Sequence, residues 1–234
     1  MFFIGAERHT SMAFMPKGGV YAEIGVKQGT FAKTVREKVA PREMHLIDPW
    51  AELNGDYRYD PNNANNAEQE QRYQSVVAAF AGDQRVHIHR ELSTQAVERF
   101  PDHYFDFVYV DADHGFNSVL IDLQIFARKV KPSGMLVGHD FCSHTLPRKH
   151  MYGVIGAVTE FVKQSEYELK GITNDEYSTY FLARRESAYW DRFIANLIMA
   201  RVPLLELPNE IAGNYRHKTA IVNGQGSLIP SFKA

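Results

Sequence analysis

The fold of this chain is decided by the stretch Val20-Tyr21-Ala22-Glu23-Ile24-Gly25-Val26-Lys27-Gln28-Gly29-Thr30. The stretch begins as a short apolar strand, continues as a loop with two glycines and turns directly into a helix, for which Thr30 is a candidate N-cap. Gly25 and Gly29 let the backbone come close to a ligand and accept a positive φ. The start of the helix supplies unpaired N–H groups. The loop is therefore expected to seat a ligand that carries a carboxylate or a phosphate; the alternative is an ordinary turn.

Composition narrows the class of protein. The 234 residues are 44% hydrophobic and 23% charged, which is enough for one domain with a sizeable core. A net charge of −2 gives no electrostatic footprint for nucleic acid or for an anionic membrane. The single cysteine, Cys142, fits a reducing compartment, and no apolar run approaches the roughly 20 residues of a membrane span. We expect a globular protein of the cytoplasm.

Alternating patterns along the chain predict an α/β fold. Strands are predicted at about residues 19–24, 44–47, 85–89, 105–110 and 135–138, and helices between them at about 30–39, 67–80, 94–100 and 117–130. The near-continuous apolar run at 105–110 is typical of a central parallel strand that is buried on both faces. The predicted fold class is a Rossmann-like, doubly wound and mostly parallel sheet of seven strands.

The remaining segments complete this prediction. A helix at about 153–162 precedes an antiparallel edge hairpin, formed by residues 167–169 and 177–182. Residues 1–17 are a lead-in, residues 51–71 a polar insertion or lid, and residues 131–134 a turn. A helix rich in apolar residues and a loosely structured tail make up a C-terminal helical extension. The predicted domain is 1–186, and the extension, 187–234, is a cap or a subunit interface of the same globule.

Polar residues follow the carboxyl ends of the predicted strands, where open α/β sheets bind ligands. Asp48 can accept both hydroxyls of a ribose, or it is an N-cap or turn aspartate. Ser93 can cap a helix and also touch a base ring. Two further clusters are Asp111 to His114 and His139-Asp140. Because parallel strands end at one edge of the sheet, we expect these side chains to share one site.

The last two clusters allow two kinds of chemistry. Asp111 and Asp140 suit a hard cation such as Mg²⁺, and adding His139 shifts the preference toward Mn²⁺, Fe²⁺ or Zn²⁺. The alternative is that Asp111 contacts an organic ligand, Asp140 caps a turn and no metal binds. His114 is a candidate general base, or a loop histidine that orients backbone. Two other histidines, His87 and His89, alternate along a strand and are expected to be packing or surface residues.

The motifs resemble those of class I S-adenosylmethionine-dependent methyltransferases. Residues 23–29 resemble the first motif of that family, E-x-G-x-x-x-G, and Asp48 resembles its ribose-binding acid. Residues 106–114, 134–141 and 153–158 resemble one subgroup, the small bacterial methyltransferases similar to sugar O-methyltransferases of macrolide tailoring and to cephalosporin-hydroxylase-like proteins. The resemblance covers about residues 19–182.

The resemblance implies S-adenosylmethionine as cofactor. The residues implied in cofactor binding are Glu23, Gly25, Lys27, Gly29, Thr30, Asp48, Trp50, Ser93 and Asp111. In this set the two glycines approach the methionine part, Asp48 the ribose and Ser93 the adenine side, and Trp50 is expected to touch the ligand because it follows Asp48. Metal-dependent relatives imply Mg²⁺ at Asp111 and Asp140 with His114 as base, whereas His139 stands where several of them carry a carboxylate.

The predicted function is methyl transfer to a hydroxyl of a small polar metabolite or sugar, with a metal as possible assistant. Gly25 and Gly29 lack the G-x-G-x-x-G spacing of a pyrophosphate turn, which disfavours a nicotinamide-dependent oxidoreductase and favours an amino-acid carboxylate. A binding protein that keeps the cofactor fold without methyl transfer is the other alternative. The expected partner is a hydroxylated small molecule, with no nucleic acid or membrane, and a homo-oligomer is possible. Its pocket is expected from residues 51–72, 141–152 and those after 186.

Overall fold

Nine strands form the central sheet of the chain. The computed structural model describes residues 1–54, 60, 62–142, 152–208, 215–222 and 225–232. The strands of the sheet are β1 (Phe2–Ile4), β2 (Val20–Ile24), β3 (Glu43–Ile47), β4 (Val86–His89), β5 (Phe105–Val110), β6 (Val130–Gly138), β7 (Tyr167–Thr173), β8 (Tyr180–Arg184) and β9 (Leu204–Glu206). Their spatial order is β4-β3-β2-β5-β6-β8-β7-β1-β9.

Strand directions make this a mixed, Rossmann-like sheet, as predicted. The five strands from β4 to β6 are parallel, and β8 runs antiparallel to both β6 and β7. The strand order reverses between β2 and β5, because the chain adds β3 and β4 on one side and β6 on the other. Such a switch point opens a crevice at the carboxyl ends of the strands.

Helices cover both faces of the sheet. They are α1 (Arg8–Ser11), α2 (Thr30–Lys38), α3 (Asn66–Ala79), α4 (Ser93–Ala96), α5 (Phe116–Ala127), α6 (Val154–Gln164) and α7 (Ala188–Met199), with 3₁₀ turns at Met12–Phe14 and Val97–Arg99. One core lies against α5 and α6 and the other against α2 and α7. No helix in the described part of the chain is long and apolar enough to cross a membrane.

The sheet has two more strands than the seven predicted. Strand β1, in the lead-in, pairs in parallel with β7, and β9 pairs with β1, so the hairpin of β7 and β8 is not at an edge. The predicted C-terminal extension is not only helical. Strand β9 follows α7, and β10 (Tyr215–Val222) and β11 (Gln225–Phe232) form a separate antiparallel sheet. The boundary at residue 186 stays a prediction.

Two local predictions were wrong. The predicted turn at 131–134 lies inside β6, where the pairing with β5 shifts register between Phe105 and Phe107. Thr30 is the first residue of α2 rather than its N-cap, because Gly29 holds the cap position with a left-handed φ of 79°. Of the segments expected to form the substrate pocket, residues 55–59, 61, 143–151, 209–214, 223–224 and 233–234 lie outside the described residues.

Candidate functional site

A cavity of about 580 Å³ opens at the switch point between β2 and β5. Its wall brings together residues that follow five parallel strands and that are far apart in the chain. The predicted site residues in the wall are Glu23, Gly25, Lys27, Thr30, Asp48, Ser93, Asp111, His114, His139 and Asp140. Two predicted cofactor-binding residues, Gly29 and Trp50, are not part of the described wall.

Gly25 allows the ends of β2 and β5 to touch. Its φ is 86°, and a Cβ at this position would lie 2.2 Å from the carbonyl oxygen of Asp111 and 2.4 Å from Cα of Ala112. The Asp111 N–H donates to the carbonyl of Ile24 at 2.8 Å across this contact. Gly29 acts differently, because its Cβ would meet side chains instead of backbone, those of Val76 at 3.1 Å and Phe80 at 3.7 Å. Gly29 shapes the start of α2 from outside the cavity.

Asp48 organises the loop that follows β2. Its Oδ2 accepts the N–H groups of Val26 at 2.9 Å and Lys27 at 3.0 Å, and its Oδ1 accepts the N–H of Trp50 at 2.7 Å. Burial raises the pKa of Asp48, and these backbone hydrogen bonds oppose that effect. A carboxylate offers about four acceptor positions, so one remains for a ligand hydroxyl.

The structure gives Trp50 a supporting position instead of the predicted ligand contact. Its side chain is buried in the core on the α2 face. The indole N–H donates to the carbonyl of Lys27 at 2.7 Å. Lys27 and Trp50 both have a positive φ, 54° and 41°, so the indole fixes an unusual loop conformation from beneath.

In two carboxyl groups of the cavity wall the pKa is raised to about 7 or 8. Glu23 is buried and accepts a hydrogen bond from the Tyr21 hydroxyl at 2.7 Å, and burial raises its pKa to about 8. Asp122, on α5, lines the cavity near Ser93, and burial raises its pKa to about 7 although the Ser93 side chain opposes this with a hydrogen bond. Ser93 is not an N-cap, since that position belongs to Leu92. Both carboxyl groups can therefore donate a hydrogen bond near neutral pH.

His114 lies between two carboxylates. Its Nδ1 is 2.7 Å from Oδ2 of Asp60 and its Nε2 is 2.8 Å from Oδ2 of Asp140, and only 6% of its side chain is exposed. Burial alone would lower the pKa of His114, but its hydrogen bonds to Asp140 and Asp60 outweigh burial and raise the pKa well above the ordinary value. For Asp140, burial is likewise outweighed by the hydrogen bonds from His114 and His139, which lower its pKa. The ring therefore holds a second proton in this arrangement.

Arg8 supplies a further cation at the same edge. Its Nη1 lies 2.8 Å from Oδ2 of Asp111, and its guanidinium stands 4.7 Å above the Phe31 ring. Burial of Asp111 raises its pKa against the opposing positive charge of His139, whose Nδ1 is 3.8 Å from Oδ1 of Asp111. Arg8 anchors this pair through its backbone N–H, which donates to Asp175 at 3.0 Å.

Asp111, His139 and Asp140 could hold a divalent metal ion. One ligand atom from each lies within 4.8 Å of the others, and two carboxylates with one imidazole suit Mn²⁺, Fe²⁺ or Zn²⁺ better than Mg²⁺. Both carboxylates are already engaged, Asp111 by Arg8 and Asp140 by His114. The donor set fits a metal, but a metal would compete with these two cations.

Three charged residues of the site were missed by sequence analysis. Arg8 belongs to the lead-in and Asp60 to the polar insertion, and neither has a local pattern that marks it. Asp122 carries a signal, because it interrupts the buried apolar face of α5 between Val119 and Leu123. An acidic residue at a core position of a helix indicates either a polar network or a ligand site.

Comparison with known proteins identifies the family. The family model described as "Methyltransferase domain" matches residues 22–141, slightly more than half of the chain. The chain belongs to this methyltransferase family. The matched segment begins in β2 and ends just after the His139-Asp140 pair, so it contains every predicted site residue. A comparison with curated protein sequences finds no match.

Solved structures share the fold of this methyltransferase. A spermidine synthase from Thermotoga maritima has a TM-score of 0.54 and 13% identity, over 87% of this chain and 67% of that one. An S-adenosylmethionine-dependent methyltransferase from Leishmania major has a TM-score of 0.53 and 12% identity, over 74% and 69%. Another from Aquifex aeolicus has a TM-score of 0.52 and 14% identity, over 72% and 83%. At such identities the likeness shows the fold alone.

Family and fold confirm the resemblance to class I S-adenosylmethionine-dependent methyltransferases. Membership of the subgroup similar to sugar O-methyltransferases stays a prediction. The family match gives no support to a nicotinamide-dependent oxidoreductase. The roles of the individual site residues stay predictions as well.

Proposed function

We propose that this methyltransferase acts on a hydroxyl oxygen of a small polar metabolite, such as a sugar, with His114 as the group that takes the proton. The observation that carries the proposal is the position of His114, which is held by Asp60 and Asp140 in the wall of the cofactor cavity. A hydroxyl has to lose a proton during methyl transfer, and a buried imidazole close to the acceptor is suited to take it.

The cavity offers a matching group for each part of S-adenosylmethionine. The N-terminus of α2 would bind the carboxylate of the methionine part. The positive charge of the ammonium group would lower the raised pKa of Glu23, so that Glu23 would pair with it as a carboxylate. Asp48 keeps one acceptor position for a ribose hydroxyl. Ser93 and Asp122 lie together in the wall, where a protonated carboxyl could donate to an adenine nitrogen. When bound, the cofactor supplies a methyl group on a sulfonium, which is a good leaving group.

His114 has to lose its second proton before it can act as a base. Asp60 keeps Nδ1 protonated and fixes the ring, as the aspartate does in other carboxylate–histidine pairs. A substrate hydroxyl would then replace Asp140 at Nε2 and donate its proton there. Because the pKa of His114 is raised, the neutral ring becomes available only as pH rises, and the transfer rate should rise with it. Alignment of the hydroxyl with the methyl group would provide the rest of the rate enhancement.

Metal assistance is a second version of the same proposal. Asp111, His139 and Asp140 would hold the ion, and the ion would lower the pKa of the substrate hydroxyl. The version without a metal is favoured by the contact of Arg8 with Asp111 at 2.8 Å, since the guanidinium already neutralises that carboxylate. Chelator treatment separates the two versions: activity that survives it supports the metal-free one.

The cofactor is tested first by calorimetry and thermal unfolding with S-adenosylmethionine and with NAD(H), each with and without divalent ions. We expect binding and a raised unfolding midpoint with S-adenosylmethionine and neither effect with NAD(H). No binding of S-adenosylmethionine would overturn the proposal.

The reaction is tested next by transfer of a labelled methyl group to matched acceptors that differ only in carrying a hydroxyl or an amine. Label in the hydroxyl acceptors alone supports O-methylation. The His114→Ala variant should keep wild-type affinity for S-adenosylmethionine while transfer slows by about 10²-fold or more. Equal loss of binding and transfer would mean that His114 supports the fold rather than the reaction. Binding without transfer to any acceptor would favour the non-catalytic alternative.

A further inference from the structure

A second group of histidines and glutamate lies at the edge of the sheet, outside the ligand cavity. The group, which we call the edge cluster, consists of Glu43 and His45 on β3 and His87 on β4. His45 and His87 are direct partners in the parallel ladder, so their side chains emerge on the same face. None of the three is among the described residues that line the cavity. The sequence alone indicated only packing or surface roles for the histidines of β4.

The potential ligand atoms of the edge cluster converge on one point. Oε1 of Glu43 lies 3.1 Å from Nε2 of His45 and 3.7 Å from Nε2 of His87. Tetrahedral Zn²⁺ with bonds of about 2.0–2.1 Å has ligand atoms about 3.3 Å apart. The two separations fall on either side of that value, and all three ligand atoms lie within 4.8 Å of one another, so rotations of the side chains would bring them to an ion. His87 is 45% exposed, which leaves an open side for entry and for a water ligand.

Residues around the edge cluster hold its ligands in place. The Tyr104 hydroxyl donates to Oε1 of Glu43 at 2.5 Å, and His45 packs edge-on against Phe100 at 4.9 Å between ring centroids. Nδ1 of His45 is 3.0 Å from Nε2 of His89. A metal-binding histidine in proteins almost always donates its second N–H to such a partner, and here the partner is already present.

The histidine chain can also rearrange its protons for a metal. Three gaps between hydrogen-bonding atoms separate Glu43 from His45, His45 from His89 and His89 from Glu91. Each neutral imidazole carries one N–H proton, so only two of the three gaps can hold a proton. The gap without a proton can fall on the long separation of 3.8 Å between His89 and Glu91. If each proton moves one gap toward Glu91, the lone pair of His45 Nε2 is freed for a cation and no proton is lost.

We infer that Glu43, His45 and His87 form a binding site for a divalent transition metal of the Zn²⁺ class, separate from the cofactor cavity. A carboxylate and two imidazoles from adjacent strands, with one open position, are the ligand set that Zn²⁺ prefers. The ion joins β3 to the edge strand β4, and its role is to stabilise that edge.

The site is tested by titrating the tag-free chain with Co²⁺, followed by visible absorption and by displacement with Zn²⁺. The titration uses the His139→Ala background, which removes one ligand of the cavity group. We expect one bound Co²⁺ with the absorption of a four- or five-coordinate site. The His87→Asn change should weaken binding at least tenfold, since even a second-shell loss weakens metal affinity about 10–100-fold.

His103→Asn is the matched control, because His103 is an exposed histidine outside the edge cluster. Its φ of 59° is one that asparagine tolerates. This variant should bind Co²⁺ as the background does. Zn²⁺ should also raise the thermal unfolding midpoint of the background and of the control but not of His87→Asn. Glu43→Gln provides a second variant that keeps an acceptor for Tyr104. Equal Co²⁺ affinity in the His87 and His103 variants, or no Co²⁺ bound in the background, would overturn the inference.

Discussion

Gly25 allows the contact of β2 with β5 to be tested by one substitution and a matched control. In Gly25→Ala the new methyl group lies 2.2 Å from a carbonyl oxygen and 2.4 Å from a Cα. Both are backbone atoms, which cannot rotate away. The left-handed φ of 86° costs about 1–2 kcal/mol for alanine, and overpacking adds about 1–3 kcal/mol. The expected loss of unfolding free energy is about 2–5 kcal/mol.

Gly82→Ala isolates the steric part. Gly82 has nearly the same φ, 81°, and nothing lies within 4 Å of its Cβ position, so this variant loses only about 1–2 kcal/mol. Urea unfolding, analysed with one m-value for both variants, measures the two losses of unfolding free energy. Calorimetry compares S-adenosylmethionine binding, which only Gly25→Ala should weaken. If the two variants lose the same stability and bind the cofactor equally, the close approach of β2 to β5 is not the reason for a glycine at this position.

Three further predictions concern the charges and supports of the site. Asp60→Asn should lower the pKa of His114, because it removes a hydrogen bond to a charged group worth about 1.5–3 kcal/mol; NMR titration of the imidazole measures this, and an unchanged pKa would contradict it. A raised pKa gives stability that is present below about pH 6.5 and lost as pH rises through the folded value, so the unfolding free energy of this variant should depend less on pH in that window. Arg8→Met should tighten Mn²⁺ binding by removing the competing guanidinium from Asp111, as measured by electron paramagnetic resonance against wild type, whereas equal affinities would show no competition. Trp50→Phe should lose about 1 kcal/mol of stability with its indole hydrogen bond and weaken cofactor binding without touching the ligand; unchanged binding would show that the loop does not need this support.

The central strands could be predicted because their own residue types indicate burial on both faces. The run Phe105–Val110 is apolar on both faces, and it lies at the middle of the sheet with both faces covered. Strand β1 could not be predicted, since three residues have no period and become a strand by pairing with β7 on one side and β9 on the other. Residues 131–134 carry the residue types of a turn, and the structure places them where the ladder between β5 and β6 slips. The residue types indicated that the regular strand is interrupted here, but pairing within the sheet keeps residues 131–134 in an extended strand instead of a turn.

Sheet topology explains why the predicted residues come together in one cavity. Parallel strands end at one edge, so polar residues after strands such as β3, β5 and β6 meet whatever their separation in sequence. The charged residues that determine the protonation of these polar side chains come from other parts of the chain. Asp60 reaches His114 from an insertion and Arg8 reaches Asp111 from the lead-in, and no rule of spacing links these pairs.

The origin of those partners bears on how the site manages its charge. Asp111 and Asp140 follow β5 and β6 within the matched family segment, and two buried carboxylates near each other cannot both ionise without cations close by. Arg8 lies before the matched segment, and its guanidinium occupies Asp111 at 2.8 Å. A divalent ion at the same carboxylates would also neutralise their charge. The guanidinium and the ion are therefore alternative ways to balance that charge. The contact with Asp140 is one reason why His114 holds a second proton. Under the proposed function, a cation that displaced His114 from Asp140 would remove this stabilisation, and Nε2 would lose its proton more readily and could then accept one from the substrate.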